Sequence, residues 1–87
     1  MHANVVQVDI QDVGDATKGV TETVIPSLKQ APGFVGAYFV ALDASRGMSI
    51  AVFETEEQAK AAAPAEGSMS PGVTLTKGEI GRVVGAA

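Results

Sequence analysis

A proline–glycine pair occurs twice in this 87-residue chain, each time before a segment rich in β-branched or aromatic residues. The pairs are Pro32-Gly33 and Pro71-Gly72, and each follows a segment with helical character. Proline ends a helix and glycine supplies the backbone freedom of a turn, so each pair indicates a turn from a helix into a strand. The chain is therefore expected to contain two similar halves.

A stripe of apolar residues at a spacing of four predicts a helix in the first half. Asp15 is the expected N-cap, and the helix is expected to end near Gln30. Pro26 removes one backbone donor inside this helix, so a kink or a tightened turn is expected between Glu22 and Pro26. The stripe consists of Ala16, Val20, Val24 and Leu28.

Four segments have the composition and alternation of β-strands. They are residues 4–10, 34–42, 48–53 and 73–84. A short loop that contains glycine joins the second segment to the third, which predicts a β-hairpin. The last strand contains Gly78 and Gly81, which are the expected points for a bulge or a bend.

A second, shorter helix is predicted after the hairpin. Thr55 and Gln58 have the spacing of a capping box, in which each side chain bonds the backbone of the other residue. The helix is expected to run through Ala63, and its small side chains suit close packing on a sheet. Residues 64–72 (PAEGSMSPG) have the composition of a mobile loop.

The order of the predicted elements is β-α-β-β-α-β. Together with the repeated turn, this order predicts an α+β, ferredoxin-like domain with a four-stranded antiparallel sheet and two helices on one face. Residues 1–87 are expected to form one domain, because a second core would need roughly 50 residues of its own.

The second predicted strand carries no charge on either face, and Phe34, Tyr38 and Val40 are expected to share one of these faces. In the ferredoxin-like order this strand lies at an edge, and a long apolar edge favours aggregation unless it is paired. Two sheets packed face to face, with paired edges, would bury these surfaces. A homodimer is therefore expected, and the alternative is a monomer with an apolar sheet face.

Charge excludes several classes of partner. Six Lys and Arg stand against ten Asp and Glu, so the net charge is −4 and attraction to phosphate has no evident source. Nucleic acid and anionic membrane surfaces are therefore not expected as partners. The longest apolar run, residues 33–42, is shorter than the ~20 residues of a membrane span. With no recognisable secretory signal, a cytoplasmic location is expected.

Few residues have the chemistry of a metal or nucleophilic site. The chain has no cysteine and one histidine, His2, so a transition-metal centre is not expected. Its glycines form no phosphate-binding pattern, and no cofactor is expected. The serines lack a nucleophile-elbow sequence and a nearby histidine partner, which leaves nucleophilic catalysis without support. This holds for Ser27, Ser49, Ser68 and Ser70.

Two motifs resemble a known superfamily. The segment PGFVGAY at residues 32–38, followed by a hairpin and by VFETEEQA at residues 52–59, is similar to the dimeric α+β barrel proteins, and more narrowly to their antibiotic-biosynthesis-monooxygenase-like group. The similarity covers residues 22–63. It implies the barrel fold and specifies function weakly, because the superfamily includes cofactor-free monooxygenases, haem-degrading enzymes, lactone isomerases and ligand-binding domains.

The resemblance also implies candidate site residues. Members that oxidise quinol-like aromatic substrates use a pocket between helices and sheet that is lined by Asn, Trp, Tyr and Arg. This chain offers Asn4, Tyr38 and Arg82 as substrate-binding residues and has no tryptophan. Haem-degrading members need an axial histidine near the second helix, whereas the single histidine here is His2, so haem degradation is disfavoured.

Each of these residues also has a simpler interpretation. Asn4 is expected either to face the pocket and hold a substrate oxygen or to be a frayed, solvated residue near the N-terminus. Tyr38 can donate its hydroxyl to a ligand or fill the core, and the core is favoured. His2 is expected to be solvated.

Two functions follow from the sequence and the resemblance. The first is binding of a small apolar or aromatic molecule between sheet and helices, without catalysis. The alternative is a cofactor-independent monooxygenase acting on an aromatic or polyketide-like quinol, with Asn4, Tyr38 and Arg82 as polar contacts. A purely structural interaction role ranks last.

Overall fold

The computed structural model describes residues 1–63 and 72–87. Its strands are β1 (His2–Ile10), β2 (Phe34–Ala41), β3 (Arg46–Phe53) and β4 (Val73–Arg82). Its helical segments are α1 (Val13–Gly19), a π-helical segment (Val20–Val24), α2 (Ile25–Lys29) and α3 (Glu56–Ala61). The first three helical segments are continuous, and we call residues 13–29 the first helical region. Most of the predicted loop over 64–72 lies outside the described residues.

The strands form one antiparallel sheet in the order β2-β3-β1-β4. This order, with α1 and α3 contributing buried residues to clusters on the same side of the sheet, confirms the predicted α+β, ferredoxin-like fold. Strands β1 and β3 are central, and β2 lies at an edge as expected. The side of the sheet away from the helices is called the open face below.

The first helical region begins before the predicted N-cap. Asp12 is the N-cap, and its carboxylate accepts a hydrogen bond of 2.8 Å from the Asp15 backbone amide. The prediction that Asp15 caps the helix is therefore wrong, because Asp12 already satisfies a free amide of the first turn. Asp15 lies within that turn, where its negative charge suits the positive end of the helix dipole.

The predicted disturbance ahead of Pro26 is present, but the helix widens there instead of tightening. The Ile25 amide donates to the Val20 carbonyl, five residues back, which is the spacing of a π-helix. Pro26 has no amide hydrogen for the Glu22 carbonyl. The wider turn accommodates this break in the ladder without ending the helix.

A bulge interrupts the pairing of β1 with β4 at a residue other than the predicted glycines. Gln7 pairs with Lys77 and Val8 pairs with Leu75, which leaves Thr76 as the extra residue. The Thr76 hydroxyl donates to the Gln7 carbonyl at 3.0 Å and so partly replaces the interrupted ladder. Gly78 and Gly81 pair in regular register, so the prediction of bulges at these glycines is wrong.

A second irregularity lies near the start of β2. Phe34 pairs with Phe53 and Gly36 pairs with Val52, so Val35 is the extra residue. The ring of Phe34 packs edge-on against that of Phe53 on the helix side, with centroids 5.7 Å apart. Tyr38 pairs with Ile50 and lies on the open face. Phe34 and Tyr38 therefore do not share a face as predicted, because the bulge reverses the alternation between them.

The open face carries apolar side chains that are in contact with solvent. Tyr38 is 76% exposed, Val40 is 48% exposed and Ile50 is 37% exposed. These three residues adjoin one another across β2 and β3. The predicted apolar surface on the second strand is therefore present in the single chain.

Candidate ligand-binding cleft

A cleft of about 390 Å³ separates the first helical region from strands β2 and β3. Two other cavities lined by described residues are smaller, at about 190 and 250 Å³. The volume of the cleft falls in the range of roughly 300–1,000 Å³ that is usual for small-molecule sites. The following features explain why the space is there and what it can hold.

The first helical region contacts the core mainly near its two ends. Near the start, Ala16 packs with Ile10 and Val73. Near the end, Leu28 packs against the cluster around Phe53. The π-helical segment and α2 contain no buried residue. The middle of the region therefore spans the cleft without packing tightly on the sheet.

Small residues lie on the sheet side of the cleft, beside one aromatic residue. Ala41 of β2 pairs with Gly47 of β3, and Ala37 and Ser49 also line the space. Phe39, which pairs with Ser49, is the large residue of this side. A β-carbon at Gly47 would lie 3.0 Å from both the Val40 carbonyl oxygen and the Ile10 Cδ1 atom. Contacts this short are rarely tolerated against backbone, so glycine suits this position.

The helix side of the cleft comes largely from α1 and the π-helical segment. Val20 and Thr21 of that segment line the space, together with Ile25 just after it. The widened turn forced by Pro26 therefore lies against the cleft. A π-turn within an α-helix is often found at functional sites, where it changes the direction in which side chains point.

The cleft has no charged side chain among its described lining residues. Its polar side chains are neutral hydroxyls, from Thr17, Thr21, Ser49 and the edge residue Tyr38. The Thr17 hydroxyl already donates to the Val13 carbonyl at 2.8 Å. A site of this composition can bury an apolar molecule and make a few hydrogen bonds to it.

The groups whose pKa is shifted lie outside the cleft. Hydrogen bonds from the Ser45 amide and the Arg46 guanidinium lower the pKa of Asp43 to about 2 in the β2–β3 turn. On α3, the hydrogen bond and charge of Lys60 lower the pKa of Glu56, at an oxygen–nitrogen distance of 2.8 Å. These pairs stabilise surface turns and do not supply an acid or a base to the cleft.

The structure does not bring the three predicted site residues together. Tyr38 lines the outer edge of the cleft but lies on the open face and is 76% exposed, so the favoured interpretation that it fills the core is wrong. Arg82 lies at the end of β4 opposite His2 and is exposed. Asn4 lies on the helix side of β1, under α3, and lines a different cavity of about 190 Å³.

Asn4 has a structural partner. Only 3% of this residue is exposed, and its Nδ2 group donates to the Ala59 carbonyl at 3.2 Å. Ala59 lies in the last turn of α3, where carbonyl groups lack partners within the helix. The alternative of a frayed, solvated residue is therefore wrong, and the amide nitrogen is engaged in holding α3 on the sheet.

His2 is half-buried, so the expectation that it is solvated is also wrong. Its Nε2 atom lies 3.7 Å from a carboxylate oxygen of Glu56 on α3. Its Nδ1 atom is occluded and has no hydrogen-bond partner within residues 1–63 and 72–87. In the same part of the chain, no group of three His, Asp or Glu residues could hold a metal ion.

Sequence reasoning did not assign the cleft residues a role. In the sequence, Ser49 stands out only as a possible nucleophile, and no motif marks Thr17, Thr21 or Gly47. The usable signal is the run of small residues at alternate positions of β3, namely Gly47, Ser49 and Ala51. Such a run beneath a helix leaves space unless large helix residues fill it.

Comparison with known proteins finds no match: no family model fits the chain, and no curated protein or solved structure is significantly similar to it. No helix within the described ranges 1–63 and 72–87 is long and apolar enough to cross a bilayer. The residues of the cleft therefore provide the evidence for function.

Proposed function

We propose that this protein binds a small, neutral, apolar or aromatic molecule in the cleft between the first helical region and strands β2 and β3. The observation that carries the proposal is a space of about 390 Å³ with no charged side chain in its described lining. An unpaired charge in such surroundings would lose its hydration without compensation. A neutral ligand is therefore favoured over an anion or a cation.

The size of the cleft sets the expected affinity. An aromatic molecule that buries about 200 Å² gains roughly 5 kcal/mol at 25 cal/mol per Å². That free energy corresponds to a dissociation constant of roughly 0.2 mM, before the costs of association are subtracted. Because those costs weaken binding, roughly 0.2 mM is the tightest dissociation constant expected for a generic aromatic probe.

The test compares naphthalene with 2-naphthoate, which adds a negative charge to the same ring system. Calorimetry or fluorescence is expected to show saturable binding of naphthalene and much weaker binding of 2-naphthoate. Ala41→Phe puts a ring at the cleft and should abolish naphthalene binding, whereas Ala44→Phe in the exposed turn should leave it unchanged. Equal binding by both variants, or no binding by the native chain, contradicts the proposal.

We also propose that two copies pair through the open face. Support comes from the exposed side chains of Tyr38, Val40 and Ile50, which form an apolar surface beside the unpaired edge of β2. Sedimentation is expected to give a dimer that Ile50→Lys dissociates. Thr23→Lys, on the exposed side of the π-helical segment, is the control and should leave the dimer intact. A native monomer at micromolar concentration contradicts this proposal.

Membership in the dimeric α+β barrel superfamily is likewise a proposal, supported by the motifs at residues 32–38 and 52–59 and compatible with the ferredoxin-like fold. Its monooxygenase-like activity has less support than binding. The Asn4 amide nitrogen bonds α3, and Tyr38 and Arg82 lie apart from it. Oxygen consumption with a dithranol-like quinol, lost in Asn4→Ala but retained in Ser27→Ala, would favour the enzyme over the binding protein.

A further inference from the structure

Ser49 is a nearly buried polar residue on the sheet side of the cleft. It is 7% exposed and lies at the middle of the central strand β3. Its cross-strand neighbours are Val6 on one side and Phe39 on the other, so its lateral surroundings are apolar. The residue lines the cleft described above.

The Ser49 hydroxyl makes no side-chain hydrogen bond within residues 1–63 and 72–87. The only fully occluded polar side-chain atom without a partner in those residues is Nδ1 of His2. The Ser49 oxygen therefore remains accessible from the cleft, where an incoming molecule can reach it.

Within the described part of the chain, the Ser49 hydroxyl adds no hydrogen bond to the fold itself. Since its oxygen is accessible from the cleft, it can bond either water or a molecule bound there. The backbone of β3 is paired on both sides, with β1 and with β2, so the strand interior offers few free backbone acceptors. The partner that the hydroxyl lacks can be supplied from within the cleft.

The other hydroxyls of the cleft are less suited to this role. Thr17 uses its hydrogen on the Val13 carbonyl, and Thr21 is exposed on the helix side. Tyr38 is 76% exposed and lies on the open face. The Ser49 hydroxyl is therefore the polar group that a molecule bound against the sheet would contact.

We propose that Ser49 selects, for this cleft, neutral apolar molecules that carry one hydrogen-bonding group, a hydroxyl or a carbonyl. The proposal rests on the proposed function of the cleft and adds the residue that would determine ligand preference. The rings or chains of the ligand would contact Ile10, Val20 and Ile25, while its oxygen would meet the Ser49 hydroxyl.

The experiment measures the ratio of affinities for 2-naphthol and naphthalene, which differ by one hydroxyl. The native chain is expected to bind 2-naphthol about tenfold more tightly, the effect of one hydrogen bond in an apolar site. In Ser49→Ala this ratio should fall to near one, while the affinity for naphthalene should change less than about twofold. Ser27→Ala, on the exposed side of α2, is the matched control and should keep the native ratio.

The outcomes separate this proposal from the function on which it rests. If naphthalene binds and Ser49→Ala keeps the native preference for 2-naphthol, the role of Ser49 is wrong and the binding function stands. If neither probe binds the native chain, the proposed function fails as well. A loss of both affinities in Ser49→Ala would indicate a general change in the cleft and would also contradict the selective role.

Discussion

The two ends of the sheet surface under the helices differ in how they are packed. Under α3, the sheet presents large residues such as Phe53, which is fully buried, and the helix presents the fully buried Ala59. Under the first helical region the packing is looser. The sheet presents Gly47 and Ser49, and the middle of the helix contributes no buried residue.

This difference shows how one small domain can hold both a core and a binding site. Small residues on α3 let it approach large residues on the sheet, which removes empty space. Beneath the π-helical segment, Val20 and Ile25 line the space above Gly47 and Ser49, but neither is buried against the sheet. The contrast predicts that substitutions under α3 change stability, whereas substitutions around the cleft change binding.

The largest effect is expected from Phe53→Ala. This side chain is fully buried and contacts the ring of Phe34, so its removal should lower the free energy of unfolding by about 3–5 kcal/mol. Val20→Ala, at the cleft, should lower it by less than about 1 kcal/mol, because Val20 is only partly buried. Urea denaturation measures the loss of unfolding free energy in both variants. Equal losses would contradict the difference between the packing under α3 and the packing at the cleft.

Gly47→Ala is expected to have an intermediate effect. Its new β-carbon would lie 3.0 Å from the Val40 carbonyl oxygen, so the strand must shift at a cost of about 1–3 kcal/mol. Gly36→Ala is the control, since a β-carbon there meets nothing within 4 Å. Thermal unfolding should separate the two variants, and a similar midpoint for both would contradict the account of why the cleft needs glycine at residue 47.

Asn4→Ala is expected to weaken the attachment of α3. The variant removes the hydrogen bond to the Ala59 carbonyl and should cost about 1–3 kcal/mol of stability. Thr55→Ala removes the capping box of the same helix and should cost about 1 kcal/mol. Amide hydrogen exchange would sharpen the comparison, because both variants should loosen α3 and leave the first helical region unchanged. Faster exchange confined to the first helical region would contradict the role of these two residues in stabilising α3.

The smallest effect concerns the turn that joins the two strands lining the cleft. Because the pKa of Asp43 is lowered from 3.8 to about 2, its ionised form stabilises the turn above the unfolded-state pKa. That contribution is lost as the pH falls from about 5 toward 2. Carboxyl NMR should give a midpoint near 2 for Asp43 in the native chain. A midpoint near 3.8 would show that the bonds to Ser45 and Arg46 are absent in solution.

Periodicity and turn residues predicted the order of elements and the capping box at Thr55, because these depend on local sequence. The edge position of β2 followed from the strand order of the fold that this order of elements predicts. The bulges at Val35 and Thr76 were not predicted. A bulge depends on the pairing with the neighbouring strand. The bulge at Val35 places Phe34 and Tyr38 on opposite faces of the sheet, whereas the sequence predicted one shared face.

The site was harder to predict than the fold. The resemblance implies Asn4, Tyr38 and Arg82 through their residue types, whereas the cleft depends on the small side-chain volume at Gly47 and Ser49. The size of a cavity depends on the side-chain volumes of both facing elements where they approach each other. The sequence pattern of one strand alone therefore does not predict a cavity.

The most direct test of the cleft is an NMR titration of the native chain with naphthalene, followed through its backbone amide signals. The largest shifts are expected on both sides of the cleft, at Val20 and Thr21 of the π-helical segment and at Ser49 of β3, with α3 unaffected. Shifts confined to Tyr38 and Ile50 on the open face, or to α3, would contradict the assignment of the binding site.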